Sequence, residues 1–374
     1  MSFDEERISR TCPNHMKIVF AIIFAAVIVV SSIAGIDSLR DREIPPESEW
    51  PLEANMPTTP STEPLSSPAI IGWVAFWDEQ AALIRLQDMI DDLSVFAPAL
   101  YRLSPDAQLE RYTVVTREQL LALARNHDIP LTPTIGDEGD DERVSLLLSQ
   151  QDIRQRFIDR LIEEAHDQGF SGWNLDIEAI EGKDRDAVSE FITRASEALH
   201  RENLTLSVVV FGKIEKETYD PARAYDFPLL AQTVDQVQIM AYNYNNDHTP
   251  PGGQAPLNWY QDVLRYALAT LPRNKIVIGL STHGYEWEGQ RVRGLTYAEA
   301  ERRISEVGAQ LHYSDEHLAN VITFQESPRR IVYYEDTRSI LDKVRLAREY
   351  EINSFALWRI GAEDPQVWEA LKTL

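Results

Sequence analysis

Gly169-Phe170-Ser171-Gly172-Trp173-Asn174-Leu175-Asp176-Ile177-Glu178 reads as a loop followed by a short strand that ends in two carboxylates. Side chains along a strand alternate between its faces, so Asn174, Asp176 and Glu178 share one face and Trp173, Leu175 and Ile177 the other. Polar groups converging at the C-terminal end of an otherwise apolar strand suit a pocket better than a core.

Around this strand the chain repeats one rhythm. Strand-like runs fall at 70–77, 94–101, 129–135, 172–178, 204–211, 236–244, 275–282 and 354–361. Helical segments separate them, for example 117–126, 150–168, 185–201, 258–271 and 338–350. In 150–168, Ile153, Phe157, Leu161, Ile162 and Ala165 recur at the helical period and form one apolar face. Eight strands alternating with helices predict an α/β protein, a (β/α)8 TIM barrel over residues 69–374. A doubly wound sheet is the second choice, and it lacks a glycine-rich phosphate fingerprint after the first strand. The interval 283–353 is too long for a plain βα unit. With a helix near 296–307 and β-like stretches near 320–324 and 330–334, it predicts a small α+β insertion between strands seven and eight, at about 288–336.

Upstream, residues 18–36 (IVFAIIFAAVIVVSSIAGI) are nearly all apolar, long enough to cross a hydrocarbon core of ~30 Å. Arg7, Arg10 and Lys17 precede them and favour a cytoplasmic tail. Residues 1–36 therefore read as a tail with a transmembrane helix, or as a cleavable signal peptide. Either reading places the rest of the chain outside the cytoplasm. Residues 37–68 carry seven prolines among Ser, Thr and Glu and predict an extended linker.

The 374 residues carry a net charge of -24, which argues against binding nucleic acid. The one cysteine, Cys12, precedes the apolar run, so the barrel has no disulfide and no thiol-ligated metal. A monomer is expected. The acidic run Asp137–Glu142 lacks EF-hand spacing and reads as a solvated loop.

Active sites of such barrels sit at the C-terminal ends of the strands. Strand one ends in Phe76-Trp77-Asp78 and strand six in Met240-Ala241-Tyr242-Asn243-Tyr244. Strand seven runs into Thr282-His283-Gly284-Tyr285-Glu286-Trp287, and strand eight holds Trp358-Arg359. Aromatic rings beside carboxylates and amides suit a carbohydrate, because rings stack on sugar faces and polar groups bind hydroxyls. His283 and His248 read as loop histidines.

Four segments carry a resemblance. Gly172-x-x-Leu175-Asp176-Ile177-Glu178 resembles the strand-four signature of family 18 glycoside hydrolases, and Met240-Ala241-Tyr242-Asn243 the family's strand-six M-x-Y-D. Val332 to Ser339 (VYYEDTRS) and Ala356 to Asp364 (ALWRIGAED) are similar to segments of its spore-germination and cell-wall branch. The resemblance spans roughly residues 70–370 in order. It implies substrate-assisted hydrolysis of β-linked N-acetylglucosamine glycans such as peptidoglycan, chitin-like oligomers or exopolysaccharide, with no metal or cofactor. It implies that Glu178 is the general acid, that Asp176 orients the substrate acetamide, and that Tyr242 holds the acetamide carbonyl. Trp358 is implied as the floor beneath the cleaved sugar, with Asn174, Met240, Asn243, Trp77 and Tyr285 lining the substrate site. Ser171 and Asn174 stand where the family has aspartates, Asn243 replaces the strand-six aspartate, and Asn174 is expected to hydrogen-bond Asp176. A non-catalytic glycan-binding barrel at the cell surface is the alternative.

Overall fold

The computed structural model describes residues 67–325 and 329–374. The apolar run 18–36, Cys12 and all but the last two residues of the linker lie outside the described residues. Among the described residues no helix is long and apolar enough to cross a membrane.

The strands are β1 (Ala69–Val74), β2 (Val95–Leu103), β3 (Leu109–Arg111), β4 (Thr134–Gly136), β5 (Gly172–Asp176), β6 (Thr205–Phe211) and β7 (Gln236–Met240). They continue as β8 (Ile276–Ser281), β9 (His283–Glu288), β10 (Arg291–Thr296), β11 (Gln310–Ser314), β12 (Ala319–Thr323), β13 (Arg330–Tyr334) and β14 (Ser354–Trp358). Eight of them form a parallel sheet in the order β1-β14-β8-β7-β6-β5-β4-β2, and β1 also pairs with β2, which closes the sheet into a barrel. The strand β3 adds only an antiparallel hairpin to β2. The expected barrel is therefore present.

Local chemistry explains where the barrel strands stop. The expected strand at 129–135 shrinks to Thr134–Gly136, preceded by a single bridge between Leu131 and Phe96. Pro130 and Pro133 have no N–H to give to a ladder, so regular pairing begins only after them. The helix Gln151–Gln168 buries Ile153, Phe157, Ile158, Leu161 and Ala165 and ends at Gly169, whose φ of 67° suits glycine. The chain then enters β5 at Gly172, where an added Cβ would collide with the Thr205 carbonyl oxygen. Only glycine lets β5 and β6 approach there.

The alternation expected of β5 holds. Trp173 points outward, fully buried, with Tyr101 and Phe170 edge-on at 4.9 and 5.4 Å and its Nε1 donating to Leu161 O at 3.0 Å. Truncating such a ring to alanine removes about 3–5 kcal/mol. Asn174 points inward. The barrel interior holds Ile71, Trp73, Ala97, Val209, Val277 and Ala356. Trp73 donates its Nε1 to the buried Gln238 at 2.9 Å.

The inserted lobe between β8 and β14 starts earlier than expected, at His283, and contains five strands where two β-like stretches were read. They pair antiparallel in the order β10-β9-β13-β12-β11, and the helix Tyr297–Ile304 packs Ala300 against Leu295, Ile322, Phe324, Val332 and Tyr334. The extra strands carry little apolar signal: β11 has no buried residue, β10 buries only Leu295, and β9 buries Glu286 beside Trp287. Glu286 of β9 is 2% exposed and bonds to Arg293, Arg303 and Arg330.

Candidate active site

The ladder of β5 ends at Asp176, which pairs with Gly136 of β4. Asp176 is partly covered at the barrel mouth, and its Oδ1 is buried without a hydrogen-bond partner. Loss of solvent, then the nearby Asp137 charge, pushes its carboxyl up to about 7. Glu178 lies two residues beyond, open to solvent on one side. The protein mass around that opening, followed by Asp176 and Asp137, pushes its carboxyl well above the usual range. Both effects raise the proton affinity of Glu178.

Tyr242 sits just past β7 and is 7% exposed. Burial raises its hydroxyl, and Asp176, Glu178 and Tyr285 add to that in turn, so these groups share one pocket. Trp358, at the end of β14, stands edge-on between Trp73 at 6.2 Å and Trp77 at 6.1 Å. Trp77 is 55% exposed, so it is a presented ring and not a core aromatic. It contacts Phe76 at 4.7 Å, and Phe76 stacks flat on Tyr112 at 4.0 Å. Arg359 lies 5.8 Å from the Trp77 ring and pairs with Asp78 at 2.7 Å, which ties the end of β14 to the end of β1. Rings thus extend from Trp358 along one rim.

The inserted lobe adds further rings beside the ends of β7 and β8. Tyr285 of β9 donates its hydroxyl to Asn243 Oδ1 at 3.3 Å. Asn243 is exposed and has φ of 61°, a conformation that asparagine tolerates better than most residues. Tyr285 also contacts Trp287, which meets Tyr333 at 6.0 Å. Gly284 lies against β13, where a Cβ would collide with the Tyr333 carbonyl.

Several expectations change. Asn174 is fully buried and does not face the mouth. Its amide donates to Thr134 Oγ1 at 3.0 Å and accepts from Ser207 Oγ at 2.8 Å, and it makes no bond to Asp176. The barrel interior keeps one polar layer there, and Asn174 satisfies it. Ser171 lies at the opposite end of β5, five residues or ~16 Å from Asp176, so its replacement of an aspartate does not touch the pocket. Met240 is partly buried and packs on the interior cluster. His283 is no loop histidine: it is 9% exposed, 6.4 Å from the Tyr242 ring and 5.5 Å from Tyr285. Burial, with Arg359 adding, pushes its imidazole down to about 4, so it is neutral. His248, half-buried, pairs with its neighbour Asp247 at 3.5 Å.

The acidic run is also corrected. Asp137 is 3% exposed, Glu138 pairs with Arg102 and Arg143, and Asp140 caps the helix Asp141–Ser149. Asp137 is the residue that sequence reasoning missed, although it follows a barrel strand directly.

The two cell-wall-like segments serve the scaffold. Glu335 pairs with the buried Lys343 at 2.7 Å, and Asp336 caps the helix Thr337–Glu349. Glu363 accepts from Trp368 Nε1 at 3.0 Å, and Asp364 from Thr337 Oγ1 at 2.6 Å. These bonds lock the segments that flank β14 and its Trp358.

A closed parallel barrel with carboxylates and exposed rings at its C-terminal mouth defines a carbohydrate-active enzyme class. The model for glycosyl hydrolases family 18 matches residues 74–363, and the chain belongs to that family. The chain is 29% identical over 237 residues to the cortical fragment-lytic enzyme of Bacillus subtilis (strain 168), covering 61% of this chain and 55% of that protein. It therefore spans about half the length of that relative. Among solved structures, the fold is shared with the class V chitinase of Pseudomonas fluorescens Pf-5, at TM-score 0.76, 23% identity, and coverage of 82% and 99% of the two chains. It is also shared with the spore cortex-lytic enzyme SleL of Bacillus megaterium QM B1551, at TM-score 0.72, 21% identity, and coverage of 83% and 75%.

Proposed function

We propose that this barrel hydrolyses β-linked N-acetylglucosamine-containing glycans by substrate-assisted catalysis with retention. The observation that carries the reading is the pairing of an acid whose proton affinity is raised, Glu178, with a buried, unpartnered carboxylate oxygen on Asp176 two residues before it. Glu178 protonates the leaving glycosidic oxygen and afterwards takes a proton from water. The substrate's own acetamide oxygen attacks the anomeric carbon. Asp176 Oδ1 accepts the acetamide N–H and stabilises the positive charge that develops there. The Tyr242 hydroxyl holds the acetamide carbonyl in line, and Trp358 supports the sugar face.

The rings from Trp358 through Trp77 to Phe76, and the lobe with Tyr285, support a chain-like substrate over a single sugar. Relatives named for cortical fragment lysis support a wall glycan as the polymer and an extracytoplasmic place of action. The apolar run 18–36 supports export, by a membrane anchor or a cleaved signal. The test is product analysis by mass spectrometry after digestion of purified sacculi and of N-acetylated chitooligosaccharides. Fully de-N-acetylated oligomers serve as the control. Cleavage of both oligomer types at equal rates would remove the substrate-assisted step. Binding without any product would favour the glycan-binding alternative.

A further inference from the structure

The ladder that fixes β5 ends before the residue that matters most. Pairing with β4 stops at Asp176, and pairing with β6 stops at Leu175. The backbone of Glu178 therefore lies beyond both neighbours' ladders. An acid that must meet a glycosidic oxygen at hydrogen-bond distance cannot hang from a free chain end.

A carboxylate from the next strand takes over. Asp137 Oδ2 accepts the Glu178 N–H at 2.7 Å and the Ala179 N–H at 2.6 Å. Its Oδ1 accepts the Gly139 N–H at 3.0 Å. Glu138 and Gly139, with φ of 58° and 68°, turn the chain back so that this third amide reaches it. On the other side, the Tyr225 hydroxyl donates to the Ile177 carbonyl at 2.6 Å.

We propose that Asp137 is the positioning residue for Glu178, its carboxylate clamping the Glu178 and Ala179 amides and so setting the place and direction of the Glu178 side chain. This rests on the reading of Glu178 as the proton donor. An ordinary loop cap would not need a charge here. Asparagine or serine accepts backbone N–H groups without the cost of placing a buried carboxylate beside two others. Keeping the charge at that cost is explained if it also acts on Glu178. Asp137 raises the proton affinity of both Asp176 and Glu178. Asp137 itself is raised overall, because burial outweighs the backbone N–H groups that favour its charged form. The groups facing this cluster are Tyr242, which feels Asp176 and Glu178, Tyr225, which feels Asp176, Asp137 and Glu178, and Tyr112, which feels Glu138 and, more weakly, Asp137. Glu138 beside it is paired with Arg102 and Arg143. No cation pairs directly with Asp137 among the described residues; only backbone N–H groups face its carboxylate.

The test is Asp137→Asn, which keeps the shape and one oxygen for the two amides. Two readouts are taken: the pH profile of kcat/KM, and the titration of the Glu178 carboxyl followed by 13C NMR on glutamate-labelled protein, with Glu178→Gln for assignment. The expected result is a folded protein with kcat lowered roughly tenfold, KM little changed, and the alkaline limb moved down by about one pH unit. The Glu178 titration moves down with it. A folded variant whose kcat, alkaline limb and Glu178 titration all match the wild type overturns the proposal. If the wild type cleaves no glycan, the catalytic reading falls, and the NMR titration alone still decides whether Asp137 controls Glu178. If Asp137→Asn does not fold, Asp137→Ser is read in the same two ways.

Discussion

Replacing Asn174 with aspartate restores the family's middle carboxylate, and the structure shows what that does. Asn174 is fully buried, and its Nδ2 donates to Thr134 Oγ1. The Thr134 hydroxyl is already committed as a donor to Ala97 O at 3.1 Å. An ionised carboxylate in place of the amide would face that oxygen lone pair to lone pair. A protonated one would donate as the amide does. The folded state therefore takes up Asn174→Asp as a neutral acid. Burial, with Asp137 as a second cause, already pushes the less buried Asp176 up to about 7. Taking about 7 for the new acid against about 3.9 unfolded, the shift is about 3 units, or about 4 kcal/mol. The folded state binds the extra proton, so the penalty is absent below pH ~4 and grows by ~1.4 kcal/mol per unit as pH rises. It levels off above pH ~7. Urea unfolding of wild type and variant between pH 4 and 8 measures it. A variant whose stability difference from wild type is independent of pH would refute this account of the barrel interior.

Two further outcomes follow from other residues. His283 is neutral when folded, at about 4 against an ordinary 6.5, so its native environment loses about 3 kcal/mol as pH falls from 6.5 to 4. His283→Gln removes that part of the acid destabilisation, which thermal melts at pH 4.5 and 7 detect as a smaller drop than in the wild type. Trp77→Ala deletes a ring that is 55% exposed, so the melting temperature changes by no more than about 2 °C while KM for long oligosaccharides rises about tenfold. An unchanged KM would remove Trp77 from the substrate path.

The strand ending in Asp176 was legible because the period of two and the apolar partners Trp173, Leu175 and Ile177 agreed with each other. Tyr242 and Trp358 were legible for a related reason: a barrel gathers its strand ends, so reading those ends gathers its site. Asp137 obeyed the same rule and was still missed, because six acidic or glycine positions in a row look solvated. What buries it is the pair of backbone amides some forty residues later, a tertiary partner that leaves no local pattern. Asn174 misled in the opposite direction. It lies on the predicted face, but its partners Thr134 and Ser207 come from neighbouring strands, and they place it in the barrel rather than at the mouth. The lobe strands β9 to β11 show no hydrophobic alternation: β9 buries Glu286 under Arg303 and Arg330, β10 buries only Leu295, and β11 buries nothing.

The central claim is that Glu178 moves the proton, and Glu178→Gln tests it most directly. The amide keeps the size and hydrogen-bonding reach of the acid but cannot donate a proton to a leaving oxygen. On N-acetylated chitooligosaccharides and sacculi, kcat is predicted to fall about 10²–10⁴-fold with the melting curve and oligosaccharide affinity retained. A folded Glu178→Gln variant that turns over within a few-fold of the wild type would contradict the account.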